Sequence, residues 1–344
     1  MTFGNENKDF DVISFGEIML RLSPTGMDRL SQCETLEKRP GGSELNVVSG
    51  ISLLGLRTGI VTKVPDNDMG QFIKNKIRFY GVSDDYLIYD DSENRRIGIY
   101  YYESGAYPRK PAVMYDRAYS SINSIHINEI DPKIYNDSRV FHTSGISLAL
   151  GENCRKTAIE LIKRFKQQGA LISFDVNYRA NLWSEEKARK TIYEILPYID
   201  ILFVSEETSR RMMQRTGTME EIMRGYCQEF GCKVVASTHR KVKSPKCHSF
   251  NSTIYLSESD TFYTSKPFED IDVIDRIGSG DAYVAGALFG LLKYHDVKKA
   301  VEFGNAMSAV KNTIVGDMPA SDFEEIDRVI ALHNSGNAGD ELNR

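Results

Sequence analysis

The stretch Asp275-Arg276-Ile277-Gly278-Ser279-Gly280-Asp281 constrains this chain more than any other. An acidic, β-like run at residues 268–274 precedes it. A long apolar run at residues 282–292 follows, with small residues at 282, 285–287 and 290. The first run predicts a strand, and the second a buried helix packed closely on a sheet. Gly278 and Gly280 between them permit positive φ and a close approach of the backbone to a ligand. The free N–H groups of the helix start point at that ligand, and the macrodipole favours an anion there. Asp281 stands at the same point as an N-cap candidate. A carboxylate beside an anion hole predicts a base that takes a proton from a hydroxyl while the amides hold phosphoryl charge. The same residues also suit a plain glycine turn before a capped core helix, so the stretch alone leaves both readings open.

The rest of the chain alternates strand and helix. Residues 11–16 form an apolar strand ending in glycine, and residues 17–24 alternate as a half-exposed strand does. Gly41-Gly42-Ser43-Glu44-Leu45-Asn46 leads into a helical run with Leu45, Val48, Ile51 and Leu54 on one face. Ser43 is its cap candidate and Asn46 lies one turn in. A strand at 58–64 and a helix at 71–80 continue the βαβα order of a doubly wound sheet. Residues 88–115 break it. From 96 to 102, Ile97, Ile99 and Tyr101 face one way, and Arg96, Gly98, Tyr100 and Tyr102 the other. With the 18–40 region this predicts a small β lid. His142, in a strand at 140–145, suits packing rather than acid–base work. A helix at 153–169 leads to the strand Leu171-Ile172-Ser173-Phe174-Asp175-Val176-Asn177-Tyr178-Arg179, which turns polar at its C-terminal end, where parallel sheets bind ligands. Further strands follow at 200–204 and 233–238. The loop at 238–243 is basic, which suits phosphates. Helices at 297–313 and 322–333 close a domain spanning residues 10–333, and residues 334–344 read as a frayed tail.

Composition narrows the function. The 344 residues, 41% hydrophobic, suffice for a large core, and a net charge of −5 argues against a nucleic-acid surface. The five scattered cysteines form no C-x-x-C pair, so neither a disulfide frame nor a zinc knuckle is indicated. A reduced, cytoplasmic setting is expected. The longest apolar run is too short to span a bilayer, and the N-terminus lacks a signal-peptide pattern.

The Asp275-Arg276-x-Gly278-x-Gly280-Asp281 turn resembles the ribokinase-like (PfkB) sugar kinases. With Arg276, where the more usual form has Thr, it is similar to the branch phosphorylating 2-keto-3-deoxygluconate. The early Gly41-Gly42-x-x-x-Asn46 loop, Gly70 and the Asp175-x-Asn177-x-Arg179 segment followed by Leu182-Trp183 resemble the same branch. The resemblance covers nearly the whole chain and implies a ribokinase-like three-layer α/β/α sandwich, a mostly parallel sheet and a β-sheet lid from residues 18–40 and 88–115. It implies Asp281 as catalytic base and the Gly278, Ser279 and Gly280 turn as holder of the γ-phosphate. Gly41, Gly42 and Asn46 would grip sugar hydroxyls, and Tyr100, Arg179 and Asp317 would contact substrate. At Tyr102 some relatives carry an arginine for the sugar carboxylate, and Arg109 is the candidate for that task here. A guanidinium such as that of Arg179 pairs bidentately with a carboxylate, which points to an acid substrate, although a capping or salt-bridged arginine would look the same in sequence.

The resemblance also implies ATP and Mg²⁺, with Ser205, Thr238, Arg240 and Asn305 near the nucleotide, and homodimers or higher homo-oligomers paired through the lid. Two departures stand out. Ser205 replaces the Asn of the usual Asn-x-x-Glu motif, and Thr208 replaces its Glu, whose work near the metal would pass to Glu207 through water. The implied reaction is ATP + 2-dehydro-3-deoxy-D-gluconate → ADP + the 6-phosphate. The alternatives are the same fold acting on a neutral sugar such as fructose or ribose, and a catalytically weak sugar-acid-binding regulator. A dinucleotide-binding oxidoreductase is disfavoured, because no G-x-G-x-x-G follows the first strand.

Overall fold

The apolar runs of the sequence become parallel strands of a ten-stranded sheet in a computed structural model that describes residues 3–335. In chain order the strands are β1 (Phe10–Phe15), β2 (Met19–Pro24), β3 (Leu36–Gly41), β4 (Thr58–Pro65), β5 (Leu87–Asp90), β6 (Gly98–Glu103) and β7 (Ala112–Asp116). They continue with β8 (Ser138–Ser144), β9 (Leu171–Asp175), β10 (Ile201–Phe203), β11 (Val234–Ser244), β12 (Cys247–Leu256), β13 (Thr261–Thr264) and β14 (Phe268–Asp272). The main sheet runs β13-β12-β11-β10-β9-β8-β1-β4-β5, with β14 paired to β12. From β11 to β5 all neighbours are parallel, and β12 turns the edge antiparallel.

Strands buried on both faces need apolar residues at successive positions, and β1 shows the reason. Val12 joins the core shared with helices Ser43–Leu53, Ser279–Tyr294 and Val297–Asn312. Ile13 and Phe15 join the core shared with helices Glu152–Gln167, Glu185–Ile195 and Met219–Phe230. The result is the expected three layers. The four strands β3-β2-β6-β7 form a separate sheet, with Gly98, Tyr100 and Tyr102 on its buried side. All five cysteines are free, and among the described residues no helix is long and apolar enough to cross a membrane.

Several local expectations are corrected. Residues 87–90 extend the main sheet beside β4 rather than the lid, since their backbone finds a parallel partner there. The basic segment 238–243 is no loop: β11 continues through it, because β12 offers an antiparallel partner to Val242 opposite His248 and, after a register shift, to Ser244 opposite Cys247. Gly42, not Ser43, is the N-cap of helix Ser43–Leu53, and Gly278, not Asp281, is that of helix Ser279–Tyr294. In both cases the polar side chain one or three residues inside is taken by a tertiary partner. Helix Phe323–Ser335 absorbs the first two residues of the expected tail, and residues 336–344 lie outside the described residues.

The small residues at 286 and 290 permit close packing of the last long helices. A Cβ on Gly286 would stand 2.4 Å from Phe303 O, and one on Gly290 2.5 Å from the Ala300 Cα. Gly286→Val therefore overpacks a contact made of backbone. It is expected to cost about 1–3 kcal/mol, read as a lower denaturant midpoint with unchanged slope.

Candidate active site

Asp281 sits in the first turn of helix Ser279–Tyr294 and is 9% exposed. Asn46 Nδ2 donates to its Oδ2 at 2.7 Å, and Ser43 Oγ donates to its Oδ1 at 2.7 Å. Asn177 Nδ2 in turn donates to Ser43 Oγ at 2.9 Å. Thus the two glycine-led helix starts and the end of β9 meet on one carboxylate. Gly278 is required for this meeting: its φ is 80°, and a Cβ there would stand 1.9 Å from Asp317 O. Burial pushes the Asp281 pKa above the ordinary range, and the bonds from Asn46 and Ser43 and the charges of Arg179 and Lys311 oppose it. The half-buried Asp175 nearby is pushed up to about 7, by burial first and then by the charge of Asp281. A buried carboxylate fixed by two donors, with its pKa raised, has the makings of a general base.

A cavity of about 450 Å³ lies between the small sheet and the C-terminal ends of the parallel strands. Gly42, Asn46, Tyr100, Arg179, Asp281 and Asp317 line it, as do Gly278, Ser279 and Gly280. The buried Asn46 Oδ1 has no partner. Gly41 stands just behind, where a Cβ would come within 2.7 Å of Asp317 Oδ2 and 2.9 Å of the Tyr100 ring. The Tyr100 hydroxyl donates to Asp317, and Arg21 Nη1 donates to Asp317 Oδ1 at 2.9 Å. Arg179 is exposed and lines the cavity, and its Nη1 donates to the Tyr178 carbonyl at 3.3 Å.

Two lid candidates are placed elsewhere. Arg109 Nη1 pairs with Glu103 Oε1 at 2.5 Å and Nη2 donates to Met27 O at 3.2 Å, so its guanidinium is committed to the end of β6 and does not line the cavity. Tyr102 lies beneath the guanidinium of Arg21, 4.3 Å from ring centroid to Cζ, and does not line the cavity. Arg117 and Tyr115 occupy the place intended for Arg109. Arg117 is held by Glu17, and Tyr115 stands cross-strand from Tyr100. Sequence reading missed Arg21, Ser43, Tyr115 and Arg117. The alternation of β6 carried forward to its hairpin partner would have pointed to Tyr115.

A second cavity of about 730 Å³ adjoins the first, and Arg240, Ser279 and Gly280 line both. Ser205, Glu207, Thr238, Asn251 and Glu269 line the second. Ser205 caps helix Glu206–Arg211 by accepting from Thr208 N at 3.2 Å, and its own hydroxyl bonds Thr208 Oγ1 at 2.9 Å. The Glu207 side chain is 83% exposed, with Arg211 3.9 Å away. Asn305 is fully buried and reaches this cavity only through Asn251, to whose Oδ1 its Nδ2 donates at 3.2 Å. Burial and the neighbouring Arg276 charge lower the Arg240 pKa, as expected of two guanidiniums facing shared space. The geometry is that of two adjoining cavities meeting at a helix N-terminus beside a buried carboxylate.

Known proteins share the sequence pattern and the fold. The pfkB family carbohydrate kinase model matches residues 9–322. A 2-dehydro-3-deoxygalactonokinase of Haloferax volcanii is 32% identical over 96% of this chain and 98% of its own length. A solved 2-dehydro-3-deoxygluconokinase from Thermotoga maritima is 32% identical, with a TM-score of 0.88 over 94% of this chain and 99% of that one. A putative ribokinase II from E. coli, solved with ATP and Mg²⁺, shares the fold at 20% identity, with a TM-score of 0.80 over 94% of this chain and all of that one. The chain therefore belongs to the PfkB family of carbohydrate kinases.

Proposed function

We propose that the protein transfers the γ-phosphate of ATP to the 6-hydroxyl of 2-dehydro-3-deoxy-D-gluconate. The observation that carries this reading is the Asp281 carboxylate, fixed by Asn46 and Ser43 where the two cavities share Ser279 and Gly280. The sugar acid takes the cavity under the lid and ATP the cavity along β11 and β12. Asp281 accepts the hydroxyl proton as the oxygen attacks phosphorus in line, and ADP leaves from the opposite side. The Ser279 and Gly280 amides at the helix start carry phosphoryl charge, with Arg240 beside them. Arg179 and Arg117 serve the substrate carboxylate, since guanidinium and carboxylate match as planar forks. The names of the relatives agree with an acid acceptor.

No group of three acidic, histidine or cysteine side chains able to hold a metal occurs among the described residues. Such a surround fits Mg²⁺ carried chiefly by triphosphate oxygens and water, with Glu207 reaching it through water. When bound, the ion neutralises phosphate charge. Free thiols fit a cytoplasmic setting. The outer lid strand β7, exposed along its whole length, is the edge at which a second copy would pair.

ADP release measured with the keto acid, ribose and fructose tests the reading: turnover is expected on the acid alone, and turnover on a neutral sugar only would overturn it. Asp281→Asn is expected to lower kcat about 10³-fold while the protein stays folded. Arg179→Ala should raise KM for the acid by roughly 10- to 100-fold, the size of a lost charged hydrogen bond, with KM for ATP little changed. Arg109→Ala, outside the cavity, should leave both constants near wild type. Because Asp281 works ionised and its pKa lies above the ordinary carboxylate value of about 3.9, kcat/KM should fall on the acid side at a higher pH than for an exposed aspartate. Arg179→Ala removes a charge that lowers this pKa, so the pH profile should show that limb moving further up.

A further inference from the structure

Lys311 is the penultimate residue of helix Val297–Asn312 and is 1% exposed, among the largest wholly buried side chains. Its ammonium donates to two backbone carbonyls, Asp275 O at 3.1 Å and Ile314 O at 3.0 Å. Those carbonyls belong to the two turns that build the transfer site. One turn carries Asp275 into Gly278 and Asp281; the other carries Ile314 into Gly316 and Asp317. The turns are already stitched together: Ile274 N and Asp275 N donate to Asn312 O, and Gly316 N donates to Asp275 Oδ2. Neutral donors suffice for such stitching. A buried ammonium is costly unless negative charge repays it, and the carboxylates of Asp275, Asp317 and Asp281 supply that charge, with the Arg21 guanidinium opposing them. Burial pulls the Lys311 pKa down to about 8 against Asp275 and Asp317, while Lys311 favours the ionised form of Asp281.

We infer that Lys311 is a built-in cation of the phosphoryl-transfer site, a positioning residue whose ammonium clamps the carbonyls of the 275 and 314 turns and holds positive charge behind Asp281 and the anion-binding amides. This rests on the proposed kinase reading for its catalytic part only. An ammonium bound by carbonyl oxygens is chemically interchangeable with a free ammonium or potassium ion. Removing the side chain should leave a cradle that such an ion can fill, whereas the intact protein has no room for one.

The test compares wild type, Lys311→Ala and Lys311→Met in potassium, ammonium and tetramethylammonium chloride, reading kcat by ADP release and Tm without substrate. In tetramethylammonium chloride both variants are expected to lose kcat by about 10²-fold, the scale seen when one group holding transition-state charge is removed. Potassium or ammonium should restore Lys311→Ala by tenfold or more, on the order set by its occupancy of the vacated cradle. It should not restore Lys311→Met, whose longer apolar side chain fills that space. Wild type should turn over equally in all three salts. The Tm of Lys311→Ala should rise in potassium or ammonium by binding to the folded state alone, and that of wild type should not. The melting readout needs no acceptor, so a wrong sugar acid would abolish turnover without touching it. Wild-type kcat in Lys311→Met, activation or stabilisation of wild type by potassium, or a Lys311→Ala variant that no cation stabilises would each overturn the inference. If neither variant folds, the wild-type salt comparison alone decides.

Discussion

Everything at this site depends on keeping negative charge buried. Asp275, Asp281 and Asp317 crowd one end of the sheet at 9% exposure or less, with Glu44 behind them. Each isolated carboxylate in such a place would cost several kcal/mol or would take up a proton. The fold answers with Arg21, which bridges Asp275 and Asp317 from beneath the lid, and with Lys311 on the opposite side. Burial works against the Arg21 charge, but Asp317 and Asp275 outweigh it and raise its pKa, so it stays charged throughout. Asp281, by contrast, is given hydrogen-bond donors and no direct cation contact. A neighbouring arginine in contact would hold its proton affinity down, against the role proposed for it.

The lid takes part in the same electrostatic arrangement. β2 places Arg21 inward in the register that puts Tyr100 beside it on β6, and both reach Asp317. The lid is therefore tied to the main domain by charge beside the proposed substrate cavity. Displacing it would uncover a guanidinium and two carboxylates together. Water exclusion and charge compensation are two consequences of one contact.

The differences from the expected pattern also have physical causes. Thr208 cannot act as the acid it replaces, and its hydroxyl is committed to Ser205 at the head of a short helix. The acids that line the proposed nucleotide cavity are instead Glu206, Glu207 and Glu269. Arg240 and Arg276 gather cationic charge near the helix start, where the proposed reaction needs it, and Glu207 and Glu269 lie exposed at the periphery.

The amino-acid sequence by itself determined the layers and the reactive turn, because both are local. Short continuous apolar runs bounded by turn residues suit strands covered on both faces, the longer run at 282–292 suits a buried helix, and glycines before a helix expose its amides wherever that helix lies. Gly278, Gly42, Asn46 and Asp281 were legible for that reason. Tertiary structure alone decided what those residues touch. Arg21 meets Asp317 across 296 residues and Arg117 meets Glu17 across 100, and no local pattern encodes such pairings. Arg109 was misread because its charge suited the task while its guanidinium is committed to Glu103, and residues 238–243 because their polarity suggested a loop until β12 supplied a partner. Local chemistry fixes which groups a chain offers. Which of them become buried, paired or poised depends on the desolvation and charge that neighbours distant in sequence bring to them.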